Sequence, residues 1–281
     1  MLAPEPWCSH TGAVRVPRYP SDTSDLEWQL IEPLLPIAAC QTPTGGRPEA
    51  HDRRAIVDAI RYLVDNGCKW RAMPADFPPW RTVYGFFTRW SRNGVLDRIR
   101  DELLVAVRLA AGHCMRSPTA VIDSQTVRAA ETVARASRGY DAAKKINGRK
   151  RSVAVDLDGM LLAAVVTGGN LQDRDAARVL LTRLRSENPQ IATIWADGAY
   201  RGALVSWAAQ QLRLRIEVVP RPQGVRGFVV LPRRWVVERS LAWLTHARRL
   251  VRDYERSPEN AEALLTWAAV TLMTRRLTRG Q

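Results

Sequence analysis

At Pro118 the spacing of hydrophobic residues changes period, and that change dictates two kinds of structure in one chain. Before it, apolar side chains recur three or four residues apart; after it, they come in short continuous runs. The first helix opens with Ser24-Asp25-Leu26-Glu27, a capping-box pattern, and Leu26, Leu30, Ile31, Leu34 and Leu35 follow at helical spacing until Pro36. A second helix is predicted over 52–66, with Ile56, Ile60, Leu63 and Val64 inward and Gly67 at its C′ position. A third covers 80–90 after the Pro78-Pro79 break, and a fourth covers 95–111. Together they read as a small all-α domain over 19–113. Residues 1–18 hold Pro4, Pro6, Gly12 and Pro17 without any period, and are expected to be a disordered extension.

Beyond Pro118, strands are expected at 120–123, 152–156, 161–166, 193–197 and 216–219, with Leu157-Asp158-Gly159 as a hairpin turn between the second and third. Helical patterns fill 173–185 and 202–212, and a long helical region closes the chain. That order describes an α/β or α+β domain of ribonuclease-H-like type over 118–277.

Three acids stand out against this frame. Asp123 closes the run Ala120-Val121-Ile122, Asp197 closes Ile191-Ala192-Thr193-Ile194-Trp195-Ala196, and Glu238 lies in the amphipathic stretch 233–250. Each aspartate is expected where a strand leaves the core, so the two can meet beyond the sheet edge. A third acid brought in by a helix completes a set of hard oxygens suited to one or two Mg²⁺ ions and phosphoryl transfer. Asp156 also ends a strand and competes for this role, whereas Asp158 belongs to the turn, and Asp173 and Asp175 suit a helix N-terminus.

The chain carries 42 Lys+Arg against 28 Asp+Glu, a formal net charge of +14, which draws it to polyanions in a salt-dependent way. No apolar run approaches the roughly 18 residues of a membrane span, and the first 20 residues lack a signal-peptide core, so a cytoplasmic protein is expected. The four cysteines form no C-x-x-C pair and the four histidines are dispersed, which argues against a zinc ribbon and a histidine metal centre. Nucleic acid is the polyanion that fits.

Cations for it are concentrated in three places. Seven of the seventeen residues in 135–151 are basic, and Lys144, Lys145, Arg149, Lys150 and Arg151 read as a phosphate-contacting loop or a solvated one. The third helix carries Arg81, Tyr84 and Arg89 beside Trp80, Phe86, Phe87 and Trp90, a composition open to helix-turn-helix DNA binding or to the core of a bundle. The stretch 233–250 adds Arg233, Arg234, His246 and Arg248, with Arg234 one turn before Glu238 as an ion pair or a DNA contact. Arg47, in the turn-rich linker 42–48, joins the DNA-binding candidates.

The blocks Val121-Ile122-Asp123-Ser124-Gln125-Thr126-Val127, Trp195-Ala196-Asp197-Gly198-Ala199-Tyr200-Arg201-Gly202 and Pro232-Arg233-Arg234-Trp235-Val236-Val237-Glu238-Arg239-Ser240 resemble the catalytic half of bacterial insertion-sequence DDE transposases of the insertion-sequence-five family. Gly139-Tyr140-Asp141-Ala142, Gln172-Asp173-Arg174-Asp175, Gly46-Arg47-Pro48 and Gly67-Cys68-Lys69-Trp70-Arg71 extend the resemblance over roughly residues 19 to 277. The resemblance implies that Asp123, Asp197 and Glu238 bind Mg²⁺, with Mn²⁺ able to substitute, as two ions. It also implies double-stranded DNA as partner, both terminal inverted repeats and target, and a homodimer or larger assembly on that DNA. Where the family signature has a Tyr before the Arg and a basic residue seven after the Glu, this chain has Leu231 and Thr245, with His246 next. A plain nuclease of the same fold, or a decayed copy that only binds DNA, remain alternatives, and Tyr200 as covalent nucleophile is a third.

Overall fold

Ser24 starts the first helix as its capping box requires: its hydroxyl accepts from the Glu27 backbone N–H at 3.2 Å, and the Glu27 carboxylate accepts from the Ser24 N–H at 3.0 Å. These contacts come from a computed structural model, which describes residues 15–219 and 234–279. The expectations for residues 1–14, Leu231 and Arg233 fall outside the described residues. Helix α1 spans Asp25–Ile31, α2 Arg53–Asn66, α3 Trp80–Arg92 and α4 Val95–Ala110. Asp52 caps α2 by accepting from the Arg54 N–H, and Gly67 ends it with φ 73°. Most of the periodic positions are buried, among them Ile31, Ile56, Ile60, Leu63, Val83, Phe87, Ile99 and Leu103, whereas Leu26 in the first turn of α1 is 47% exposed.

Among the described residues six strands form one sheet: β1 Thr119–Arg128, β2 Gly139–Asp141, β3 Ile146–Val155, β4 Leu161–Gly168, β5 Thr193–Ala196 and β6 Arg215–Val218. The order is β2-β3-β1-β5-β6, with β4 also on β3. β1 to β4 pair antiparallel, while β1, β5 and β6 pair parallel. The expected turn joins β3 to β4, where the Asp156 carboxylate accepts from the N–H groups of Asp158 and Met160.

Two strands are longer than their apolar runs. β1 continues past Asp123 to Arg128, so Asp123 sits inside a strand and not at its end. β3 begins at Ile146, because β1 and β3 pair from Val121↔Val155 to Arg128↔Gly148, and the supposed basic loop is largely sheet. Arg149, Lys150 and Arg151 are accordingly interior residues, 0%, 5% and 2% exposed. Arg149 donates to the carbonyls of Ser137, Glu255, Arg256 and Ser257 and pairs with Asp253 at 3.3 Å; Arg151 donates to the Leu250 carbonyl. These two guanidiniums pin the connection after residue 248 to β3, and burial holds Arg151 down to about 10. Buried cations persist only when their donors find such acceptors.

The remaining helices are α5 Asp173–Glu187, α6 Ala203–Trp207 running on into a π-helical turn Ala208–Leu212, α7 Trp235–Thr245 and α8 Pro258–Thr278. α8 is buried around most of its girth and packs against α1, α2 and α4 as well as β4. Its Trp267 is fully buried, 6.3 Å from the Trp90 ring of α3. The expected split at 113–118 therefore does not separate two cores: the N-terminal helices and the sheet share one, bridged by α8. Arg108 of α4 reinforces that junction, donating to the buried carboxylate of Asp156 at 2.8 Å. Among the described residues no helix is long and apolar enough to cross a membrane.

Candidate metal and DNA-processing site

Parallel pairing of β1 with β5 sets the site. Thr119, Ala120 and Val121 stand opposite Thr193, Ile194 and Trp195, so Asp123 and Asp197 each follow two residues beyond the last paired position. β5 stops at Ala196, which leaves that flank of β1 uncovered at Asp123. Asp197 then caps the short turn Gly198–Tyr200, its carboxylate accepting from the Ala199 N–H at 2.8 Å. Asp123 accepts from the Ser124 N–H at 2.7 Å.

α7 lies across β1 and β3 and carries Glu238 in its first turn, with the side chain 45% exposed. Arg234 stands between the acids, 3.3 Å from Glu238 and 3.8 Å from Asp197. Burial pushes the Asp123 carboxyl up to about 6, helped by the charge of Asp197 and opposed by the Ser124 N–H, Arg234 and Lys144. A single guanidinium thus links Asp197 to Glu238, and its charge also favours the ionised form of Asp123.

The donor chemistry fits a hard divalent cation. Two carboxylates that repel each other at the end of a parallel pair regain that energy when a cation enters between them. Among the described residues no three acids, histidines or cysteines already enclose an ion, and Glu238 is turned to Arg234. Glu238 must exchange that partner to join the aspartates.

A further carboxylate, which the sequence suits to a helix N-terminus, lies beside this site. Asp173, at the start of α5, accepts from the Ser124 hydroxyl at 2.8 Å and pairs with Lys150 at 2.7 Å. The Tyr200 phenol lies beside Ser124, and burial, with Asp123 and Asp173 adding, holds it well above 10. Tyr200 is 2% exposed and packs as a wall beside Ser124, its hydroxyl not open to solvent. Asp156, the competitor, is 0% exposed and bound to Arg108 just past the C-terminal end of β3.

The expected DNA contacts divide by exposure. Arg47, Arg81, Arg89, Lys144, Lys145, His246 and Arg248 are exposed. Arg81 and Arg89 lean on the rings of Trp80 and Phe86. Tyr84 is half-buried, its ring 5.0 Å from Trp70 and its hydroxyl accepting from Asn260, so it serves packing. Arg149, Lys150 and Arg151 are occupied inside the fold, as described above, and offer nothing to solvent.

Comparison with known proteins identifies a family for the chain. A family profile described as "Putative transposase of IS4/5 family" matches residues 23–100, and the profile "Transposase DDE domain" matches residues 116–273. Among curated proteins, the "Putative transposase for insertion sequence element IS402" of Burkholderia cepacia is 26% identical over 191 residues, 59% of this chain and 89% of the relative. The "Insertion element IS402 uncharacterized 16.2 kDa protein" of the same organism is 30% identical over 108 residues, 36% of this chain and 69% of the relative. The "Uncharacterized protein y4sN" of Sinorhizobium fredii is 30% identical over 114 residues, 41% of this chain and 82% of the relative.

Proposed function

Because the chain belongs to the transposase DDE domain family, we propose that it cuts the ends of an insertion sequence and joins the resulting 3′-hydroxyls to target DNA. The observation that carries this reading is the parallel register that brings Asp123 beside Asp197, with Arg234 linking Asp197 to Glu238. Asp123 and Asp197 would hold a divalent cation, Mg²⁺ or in its place Mn²⁺, and Glu238 would complete the set of oxygens for two ions. Such cations would supply Lewis acidity toward phosphoryl oxygens.

The protein's own groups do the rest. Arg234, released from Glu238, faces the phosphodiester as a fork of N–H donors. The walls formed by Tyr200, Ser124 and Asp173 keep Asp123 in place by packing and hydrogen bonding. Arg47, Arg81, Arg89, Lys145, His246 and Arg248 hold the DNA backbone, and the N-terminal helices help recognise the terminal repeats. Joining two ends calls for at least two copies of the chain on the DNA.

The test uses purified protein and Asp123→Asn with a plasmid carrying the gene and its flanking DNA, in Mg²⁺ or Mn²⁺. Mapping of new 3′-hydroxyl ends and joined products is expected to show metal-dependent cuts at the element's ends, joined to new DNA, by the wild type alone. Cuts without joining would replace this reading by a nuclease, and binding without cuts by a DNA-binding protein.

A further inference from the structure

Gly139-Tyr140-Asp141-Ala142 gives no carboxylate to the triad, yet its aspartate is buried and heavily hydrogen-bonded. Asp141 accepts from the Thr126 hydroxyl at 2.6 Å through one oxygen, and from the Ala143 and Lys144 N–H groups, each at 3.1 Å, through the other. Those N–H groups belong to the turn between β2 and β3, in which Lys145 takes φ 53°. Thr126 is three residues past Asp123 on β1, so the clamp ties the turn to the strand that bears the first acid.

A second contact fixes the other end of the hairpin. Gly148, opposite Gly139, approaches β1 so closely that a Cβ there would stand 1.8 Å from the Val127 carbonyl oxygen. Only a residue without a side chain permits that approach. The hairpin is thus held on β1 at its base and at its turn, and Lys144 stays exposed at the tip, its own N–H bound to the Asp141 carboxylate that is clamped to Thr126, three residues from Asp123 on β1. Lys150 is not available for the same duty, being bound to Asp173 and to the Leu171 carbonyl.

We infer that the β2–β3 hairpin is a phosphate-positioning arm: Asp141 is a positioning residue that locks the turn, and Lys144 touches the scissile phosphate. The inference rests on the phosphoryl-transfer reading above and extends it. A site lined by Asp123, Asp197, Asp173 and Glu238 repels a phosphodiester, and one compact ammonium on a rigid turn offsets that repulsion where charge develops. A fixed cation needs no reorganisation at the moment of displacement, which is where such groups contribute most to rate.

Single-turnover cleavage of the same plasmid, with DNA affinity measured alongside, decides it. Lys144→Gln is expected to cut on the order of 100-fold more slowly at saturating DNA while its affinity changes by about threefold or less. Lys144→Arg is expected to recover most of the rate, a rescue that a merely structural role would not give. Thr126→Val, which removes only the clamp's hydroxyl, is expected to slow cleavage at unchanged affinity, and Arg116→Gln, an equal loss of charge at an exposed position before β1, to cut like the wild type. Wild-type rate in Lys144→Gln, or a loss confined to affinity, overturns the inference alone; a wild type that cuts nothing overturns it together with the proposed function.

Discussion

Val121 of β1 stands opposite Trp195 of β5 in a parallel pair, and this one register brings Asp123 and Asp197 side by side two residues further on. A slip of one residue would turn one of the two side chains to the opposite face of the sheet. Two carboxylates held close by the backbone are costly while nothing neutralises them, and that cost can be measured.

Burial and Asp197 hold Asp123 at about 6, above its ordinary 3.8. The folded protein therefore binds more protons than the unfolded chain between those values, so this group's share of stability is intact below about pH 4 and is lost as pH rises through 6. Without metal at pH 7.5, Asp123→Asn is expected to be more stable than the wild type by on the order of 2 kcal/mol, discounted for the solvent that still reaches the carboxyl. Melting curves in EDTA from pH 3.5 to 8 should show the gap closing toward low pH. Mg²⁺ should then raise the melting temperature of the wild type and leave the variant where it was.

Arg234 occupies the place between Asp197 and Glu238 at 3.8 and 3.3 Å, and so competes with a cation for the same oxygens. Both acids keep contact with solvent, so the competition is on the order of 0.5–1 kcal/mol. Arg234→Gln is expected to tighten Mn²⁺ binding by about two- to fivefold in calorimetric titration, while cleavage of DNA falls. Weaker Mn²⁺ binding in the variant would mean that the guanidinium organises the acids instead of competing with ions.

The helices were legible because their ends carry local signals: Ser24 and Glu27 at α1, Asp52 and Gly67 at α2. Asp123 and Asp197 were legible because apolar runs lead into them. The length of β3 was not, since Arg149, Lys150 and Arg151 look like loop residues until their partners are known. Those partners, Asp253, Leu171 and Leu250, lie 104, 21 and 99 positions away along the chain. Asp173 was hidden for the opposite reason, because its place in the first turn of α5 already accounts for its charge. The shared core escaped because nothing local tells which neighbours an all-round apolar helix such as α8 will choose.

Exposure separates two classes of arginine that composition treats alike. Arg149→Met removes a buried guanidinium from four carbonyls and Asp253, and is expected to destabilise the fold by about 3–5 kcal/mol. For the protein that remains folded, DNA affinity and its salt dependence should match the wild type. Arg81→Ala, at an exposed site on α3, is expected to leave melting unchanged and to reduce the slope of log affinity against log salt by about one. Filter binding at several salt concentrations, paired with melting curves, distinguishes the two; an unchanged slope for Arg81→Ala would remove it from the DNA surface.

Asp156 gives the sharpest contrast with Asp197, because it too follows a strand. Its carboxylate is 0% exposed, accepts from Arg108 at 2.8 Å and closes the β3–β4 turn through two N–H groups. Burial raises its proton affinity, against those hydrogen bonds. Asp156→Asn leaves Arg108 without its buried counter-charge, which costs about 3–5 kcal/mol when one partner of such a pair is lost. The variant should unfold at a markedly lower denaturant midpoint and yet cleave DNA at the wild-type rate per folded molecule. Asp197→Asn should do the reverse, keeping or raising the midpoint while cleavage falls by on the order of a thousandfold, as befits a group acting on the transition state. If Asp156→Asn folded fully and lost cleavage, the acid just past β3 would have to be counted in the chemistry, and the pairing of β1 with β5 would no longer explain the site.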